Sequence, residues 1–279
     1  MNRMFIGIGA QKCASSWIYD ILKDHPDVNV SEKKELDFFS YNYELGYKWY
    51  ESHFNNNEKD TIAGEVSPSY FNEASVPYRL KQYMPEAKII LSLRNPVERA
   101  LSQHRHLIRI GYIQGPDYSF EEALNNNPSY IEQGLYATHL TRWLEYFPLE
   151  QIHVVTMEEI SQNSADVAKG LYEFLGVDTE HISKTRDGKS NISYALRNRS
   201  LDNFVVKLRI AINTLGFGVV WKWLGNTGLR HVYRSFNRRS SDKVIPTVKN
   251  KTKENLRQHF KEQVELLEQL LGRSFEQWK

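Results

Sequence analysis

A single cysteine, Cys13, stands among 279 residues. That count excludes an intramolecular disulfide framework and a zinc site built on paired thiolates, and it fits a reducing compartment. Long apolar runs are missing too: no stretch of about twenty uninterrupted apolar residues occurs, so no membrane span is expected. The start, Met1-Asn2-Arg3-Met4-Phe5-Ile6, enters a strand-like stretch without the apolar core and small-residue cleavage site of a secretory leader. The chain therefore reads as cytoplasmic. An excess of charge of one sign is also lacking. Lys and Arg number 36 against 34 Asp and Glu, a formal net charge of +2, so any basic site must be local and no nucleic-acid partner is expected.

With 41% hydrophobic and 25% charged positions, the chain can bury a full core, and residues 1–279 read as one enzyme-sized α/β domain. Short apolar runs alternate with helical patterns, the mark of a parallel sheet with crossover helices. Strands are expected at Met4–Gly9, Asp27–Val30, Thr61–Glu65, Lys88–Leu93 and Gln151–Thr156. Trp17, Ile18, Ile21 and Leu22 share a face in a helix over Ser15–Lys23, which His25-Pro26 stops. Leu256, Phe260, Val264, Leu267 and Leu271 fall at helical spacing over about 251–271, and Gly272 ends that helix. The predicted class is α/β, a three-layer arrangement with helices on both faces of a central parallel sheet.

Residues 201–239 stand apart as a basic helical insertion. Between Arg197 and Arg239 there are nine Lys or Arg residues and one acid, Asp202. An anionic acceptor, an anionic cofactor and a membrane surface met by residues 204–224 all suit such a bias, as does a helical subdomain with a solvated basic face.

Two stretches carry the chemistry. Gly7-Ile8-Gly9-Ala10-Gln11-Lys12-Cys13-Ala14-Ser15-Ser16-Trp17 ends a predicted strand and opens a predicted helix. Main-chain N–H groups at a helix N-terminus, small residues that allow close approach, and a lysine together form a cradle for an anion. The loop does not match the nucleoside-triphosphate pattern G-x-x-x-x-G-K-[ST], because Gln11 precedes Lys12 and Cys13 follows it. The second stretch, Arg94-Asn95-Pro96-Val97-Glu98-Arg99-Ala100-Leu101-Ser102, leaves the predicted strand Lys88–Leu93. Ligands of open parallel sheets bind beyond the carboxyl ends of the strands, which is where Arg94 falls. Ser102 follows about two turns into the next helix, facing the same anion. The bland alternatives are an Arg94–Glu98 pair and a scaffold ion pair for Arg99. Two anion sites at two strand ends call for a ligand with two separated anionic groups.

In this order the two stretches resemble the sulfotransferases that use 3′-phosphoadenosine 5′-phosphosulfate (PAPS), above all the heparan-sulfate type. The likeness extends to Glu32-Lys33-Lys34-Glu35-Leu36-Asp37-Phe38-Phe39, to Gly64-Glu65-Val66-Ser67-Pro68-Ser69-Tyr70-Phe71 and to Leu270-Leu271-Gly272-Arg273-Ser274-Phe275-Glu276-Gln277-Trp278. The resemblance implies a P-loop-like sulfotransferase fold, the 5′-phosphosulfate on Gln11, Lys12, Cys13, Ala14, Ser15, Ser16 and Trp17, and the 3′-phosphate on Arg94 and Ser102. Arg197 and Arg199 are expected to close over that phosphate. It makes Glu35 the acceptor's base and Lys12 the residue that stabilises charge on the departing phosphate oxygen. Acceptor contacts are expected from Glu35, Asp37, Glu65 and Ser67, with loop ordering as the other reading of Glu65 and a Lys33 or Lys34 ion pair as that of Glu35. Cys13 and Ala14 replace glycine of many relatives, Ser15 replaces threonine, Asp37 stands where some glycan enzymes carry histidine, and Val66 where lysine often follows the glutamate.

The reaction expected is in-line transfer of a sulfuryl group to a hydroxyl or amine of a small-molecule or saccharide acceptor. The rival readings are a nucleotide-dependent phosphotransferase and a non-catalytic protein that binds an anionic glycan or lipid. His104 and His106, one residue apart with no carboxylate or thiolate nearby, make a poor metal site, and no metal is expected.

Overall fold

The computed structural model describes residues 3–54, 61–113, 118–185, 194–196, 238–240 and 245–279. Most of the basic insertion expected at 201–239, and with it residues 204–224, lies outside them. In chain order the main elements are β1 (Met4–Gly9), α1 (Ser15–Lys23), β2 (Val28–Val30), α2 (Gly46–Glu51), β3 (Ile62–Val66), α3 (Val76–Tyr83), β4 (Lys88–Leu93) and α4 (Pro96–Ile110). They continue with α5 (Phe120–Asn126), α6 (Ser129–Glu132), α7 (Tyr136–Leu144), β5 (Ile152–Thr156), α8 (Met157–Gln162), α9 (Ser164–Leu175), β6 (Tyr194–Leu196), β7 (Arg238–Ser240) and α10 (Asn250–Leu271).

Contacts divide the chain into two compact units: Met1–Gln103, Pro128–Ser190 and Asn250–Lys279 form one, His104–Asn127 and Asn191–Lys249 the other. The first unit holds a five-stranded sheet in the order β2-β3-β1-β4-β5, with every neighbouring pair parallel. Strand order reverses at β1, whose two neighbours are β3 and β4, and the crevice at such a switch point is where open α/β sheets take ligands.

The core follows from the period-two alternation of buried strands. Met4, Ile6, Ile8, Ile89 and Leu91 pack on one face with Trp143 of α7 and with Val264 and Leu267 of α10. Phe5 and Ile90 pack on the opposite face with Trp17, Ile18 and Ile21 of α1 and Leu171 and Tyr172 of α9. Helices thus cover both faces, which makes the three layers. Gly64 permits the close approach of β3 to β1, since a Cβ there would lie 2.3 Å from the Phe5 carbonyl oxygen. Trp143 ties its helix to the layer below by donating from Nε1 to the Phe71 carbonyl at 3.1 Å.

Three strands begin one residue later than the apolar runs suggest, and pairing is the reason. Ile62 N donates to the Asp27 carbonyl at 3.1 Å, which opens the β2–β3 ladder at Val28. Val66 extends β3 by pairing with Gly7. Gln151 closes the turn before β5 and spends its side-chain amide on the Pro85 and Ala87 carbonyls.

In the second unit, β6 and β7 form an antiparallel ladder with Tyr194 opposite Ser240 and Leu196 opposite Arg238. There the His104 ring meets the Phe120 ring edge-on and its Nε2 lies 3.0 Å from the Tyr118 carbonyl. His106 faces Arg109 instead, Nδ1 to Nη2 at 2.7 Å, so the two histidines turn to different partners. Among the described residues no helix is long and apolar enough to cross a membrane.

Candidate active site

The first loop leaves the carboxyl end of β1 in an unusual shape. Gly9 has φ +126°, and a Cβ there would sit 2.7 Å from the Pro68 carbonyl oxygen, so neither backbone nor space admits a side chain. Lys12 and Ala14 follow at φ 67° and 68°. The alternation throws the chain into a tight hook, and Ala14 becomes the residue before α1. α1 begins with no acidic residue in its first turn and no side-chain cap from Ala14, so the helix itself supplies no carboxylate to the positive end of its dipole. Gln11, Lys12, Ala14 and Ser16 are half-buried along this hook, while Cys13 and Ser15 are buried beneath it. Trp17 is buried as well and packs in the Phe5 and Ile18 cluster.

β4 brings the second stretch alongside. Ala10 N donates to the Ser92 carbonyl at 2.7 Å, and Ser92 Oγ donates back to the Gly9 carbonyl at 3.1 Å. Arg94 follows two residues later. Its guanidinium lies 3.8 Å from Glu98, a loose i,i+4 pair in which Glu98 is the more exposed partner. Asn95 caps α4 by accepting from Val97 N at 3.0 Å and Glu98 N at 3.3 Å, with Pro96 at the first helical position. Asn95 N in turn donates to Glu158 Oε1 at 3.0 Å. Ser102 lies half-buried farther along the same helix.

Among the described residues Arg99 forms no ion pair with a carboxylate. It is fully buried, and its guanidinium donates to Gln103 Oε1 at 2.6 Å, Gln133 Oε1 at 3.1 Å and the Tyr130 carbonyl at 2.6 Å, all neutral acceptors.

The acceptor candidates form a separate hydrogen-bonded group. Ser67 N donates to the Gly7 carbonyl at 2.8 Å, so this group is tied to β1 just before the hook. Glu65 is fully buried, and it accepts from Ser67 Oγ at 2.6 Å and from the Tyr70 hydroxyl at 2.7 Å. Burial pushes its carboxyl up to about 7, against the pull of those two hydroxyls. Asp37 N donates to Ser67 Oγ at 3.0 Å, and Asp37 Oδ1 accepts from Ser69 Oγ at 2.6 Å. Burial also raises the Asp37 carboxyl above its usual range. Glu35 and Asp37 both take positive φ, 61° and 50°. The Glu35 side chain stays about half exposed and pairs with Lys34.

The structure therefore brings the Gln11–Trp17 loop and Arg94 together through Ser92, and gathers Glu65 and Asp37 around Ser67, with Ser69 bonded to Asp37. Arg197 and Arg199 lie outside the described residues. Among the described residues no group of three His, Cys, Asp or Glu side chains is placed to hold a metal ion.

The profile of the sulfotransferase domain matches residues 3–268, nearly the whole chain. The chain belongs to the sulfotransferase family. Among its relatives, a bifunctional heparan sulfate N-deacetylase/N-sulfotransferase 2 of Homo sapiens is 32% identical over 201 residues, covering 65% of this chain and 23% of the relative. A heparan sulfate glucosamine 3-O-sulfotransferase 3B1 of Mus musculus is 32% identical over 180 residues, covering 61% and 45%. The matched part thus spans less than half of either relative's length. A sulfotransferase crystal structure from Alicyclobacillus acidocaldarius shares the fold, with a TM-score of 0.70 over 100% of this chain and 99% of that one at 23% identity.

Two residues beside the loops after β1 and β4, Glu158 and Tyr136, had no role assigned from the sequence. Glu158 stands two residues past the end of β5, a strand-end position that could have marked it. Tyr136 carried no such signal, because it sits in a helical stripe that reads as packing.

Proposed function

We propose that the chain transfers the sulfuryl group of PAPS to a hydroxyl or amine of a small-molecule or saccharide acceptor. The observation that carries this reading is the pair of anion cradles at the carboxyl ends of the adjacent strands β1 and β4, joined by the reciprocal Ala10 and Ser92 bonds. A nucleotide with separate 5′ and 3′ anionic groups suits such a pair. The hook of Gln11, Lys12, Cys13, Ala14, Ser15 and Ser16 takes the 5′-phosphosulfate, with Trp17 supporting it from the core. Arg94 and Ser102 take the 3′-phosphate, which replaces the loose contact of Arg94 with Glu98.

Little covalent chemistry falls to the protein in such a transfer, so positioning and charge stabilisation dominate. The acceptor oxygen or nitrogen attacks sulfur in line with the bridging oxygen of the phosphate. Lys12 neutralises the charge that grows on that oxygen as the sulfur–oxygen bond breaks. Glu35, accessible and at the rim of the Asp37, Ser67 and Ser69 group, takes the acceptor's proton. Asp37 and Ser67 hold the acceptor, while the buried Glu65 holds the Ser67 and Tyr70 side chains that shape the group. The cytoplasm is the proposed setting, which a buried, unpaired thiol fits.

The reading is tested by incubation with labelled PAPS and a panel of aryl alcohols, aliphatic alcohols and amino-sugar oligosaccharides. Labelled product from at least one class is expected, with Lys12→Ala about 10²–10³ slower. Failure to release 3′-phosphoadenosine 5′-phosphate (PAP) with any acceptor would contradict it.

A further inference from the structure

Tyr136 is the first residue of α7 and is buried to 1% exposure. Its ring sits between Phe71 and Trp278, with centroids 6.3 and 6.1 Å away. Packing explains the ring but not where the hydroxyl goes. That hydroxyl donates to the Arg94 carbonyl at 2.9 Å and lies 3.7 Å from Cys13 Sγ. One phenol oxygen therefore touches the middle of the first anion loop and the first residue of the second.

The directions of these bonds are set by the chemistry of the groups. A carbonyl can only accept, so the phenol proton goes to Arg94, which leaves the phenol lone pairs to accept from the thiol. Burial pushes the Cys13 thiol up to about 11, so it keeps its proton, which is shared between the Gln11 carbonyl at 3.5 Å and the phenol oxygen at 3.7 Å. Cys13 lies between Lys12 and Ala14, both in the left-handed region. Such a loop is not held in shape by local preference and needs an outside anchor. At the other end, the anchored carbonyl belongs to the residue whose guanidinium is assigned to the second anion.

We infer that Tyr136 is a positioning residue whose hydroxyl fixes the spacing of the two anion loops, so that a ligand with two separated anionic groups engages both at once. This rests on the cofactor reading above. Loss of the hydroxyl lets each loop relax independently, while a ligand that uses one loop alone is largely indifferent to their spacing. The penalty falls on ligands that span both.

The test is calorimetric titration of PAP and of adenosine 5′-monophosphate into wild type, Tyr136→Phe and Cys13→Ala. Tyr136→Phe keeps the ring and its packing. It should weaken the bisphosphate by about tenfold and the monophosphate by less than about threefold, the scale set by one buried hydrogen bond. Cys13→Ala, which removes the thiol side of the bridge, should weaken the bisphosphate by about threefold in the same selective manner. Should Tyr136→Phe not fold, the selectivity of Cys13→Ala decides the matter alone. Unchanged affinities, or equal losses for both nucleotides, would overturn the inference and leave Tyr136 as core packing. Wild type that does not bind the bisphosphate would overturn the cofactor reading, and this inference with it.

Discussion

The Ser67 hydroxyl donates to Glu65 Oε2 at 2.6 Å while accepting from the main-chain N–H of Asp37. A single side chain thus joins a buried carboxylate on β3 to the loop that presents Glu35. Because Glu65 has no exposure, its charge state is coupled to folding and to the shape of that loop.

The coupling has a sign. Burial raises Glu65 from 4.5 to about 7, so between those values the folded chain holds a proton that the unfolded chain has released. Its contribution is present in full below pH 4.5 and is lost as the pH rises through 7, for a total of about 3 kcal/mol. Thermal unfolding from pH 4.5 to 7 should show wild type losing stability relative to Glu65→Gln, which lacks this titration. Parallel profiles for the two proteins would show that Glu65 is ionised at no extra cost.

Much of this architecture was legible beforehand. β1, β4 and α1 have the predicted limits because their apolar runs are bounded by strong punctuation: Gly9, Arg94-Asn95-Pro96 and His25-Pro26. The loops after β1 and β4 lie at the strand ends where the sequence places them. The fates of Glu65 and Arg99 were not legible. Glu65 read either as an acceptor contact or as a residue that orders its loop; parallel register sets it opposite Ile6, and the Tyr70 hydroxyl donates to it. Arg99 looked like half of an ion pair, but its acceptors are neutral: Gln103 one turn on, and Ser129, Tyr130 and Gln133 some thirty residues on. The distant three leave no local pattern.

Arg99 gives a direct test of that neutral cage. Arg99→Lys keeps the charge but presents three donors from one atom, which cannot reach Gln103, Gln133 and Tyr130 together. Chemical denaturation should show a loss of about 2 kcal/mol. Stability equal to wild type would mean that charge alone, not the planar fork, is what the site requires.

Two glycines should respond oppositely to alanine. At Gly64 the new methyl would meet the Phe5 carbonyl and ring at 2.3–2.4 Å, and a loss of about 3 kcal/mol or more, or insoluble protein, is expected. Gly170 lies inside α9, where a Cβ meets only the His153 ring at 3.9 Å. Gly170→Ala should therefore gain about 0.5–1 kcal/mol from the lower entropy of its unfolded chain. Melting temperatures of the two variants check both signs.

The central claim is that the loops after β1 and β4 together bind a nucleotide carrying both 5′ and 3′ anionic groups. Calorimetric titration of PAP into wild type and Arg94→Ala, with ATP as the control, tests it most directly. The account predicts that wild type binds the bisphosphate more tightly than ATP, and that Arg94→Ala loses that binding at least tenfold while unfolding at the wild-type temperature, as expected when a charged hydrogen bond is removed. No binding of the bisphosphate, a preference for ATP, or an Arg94→Ala variant that binds as wild type does would contradict it.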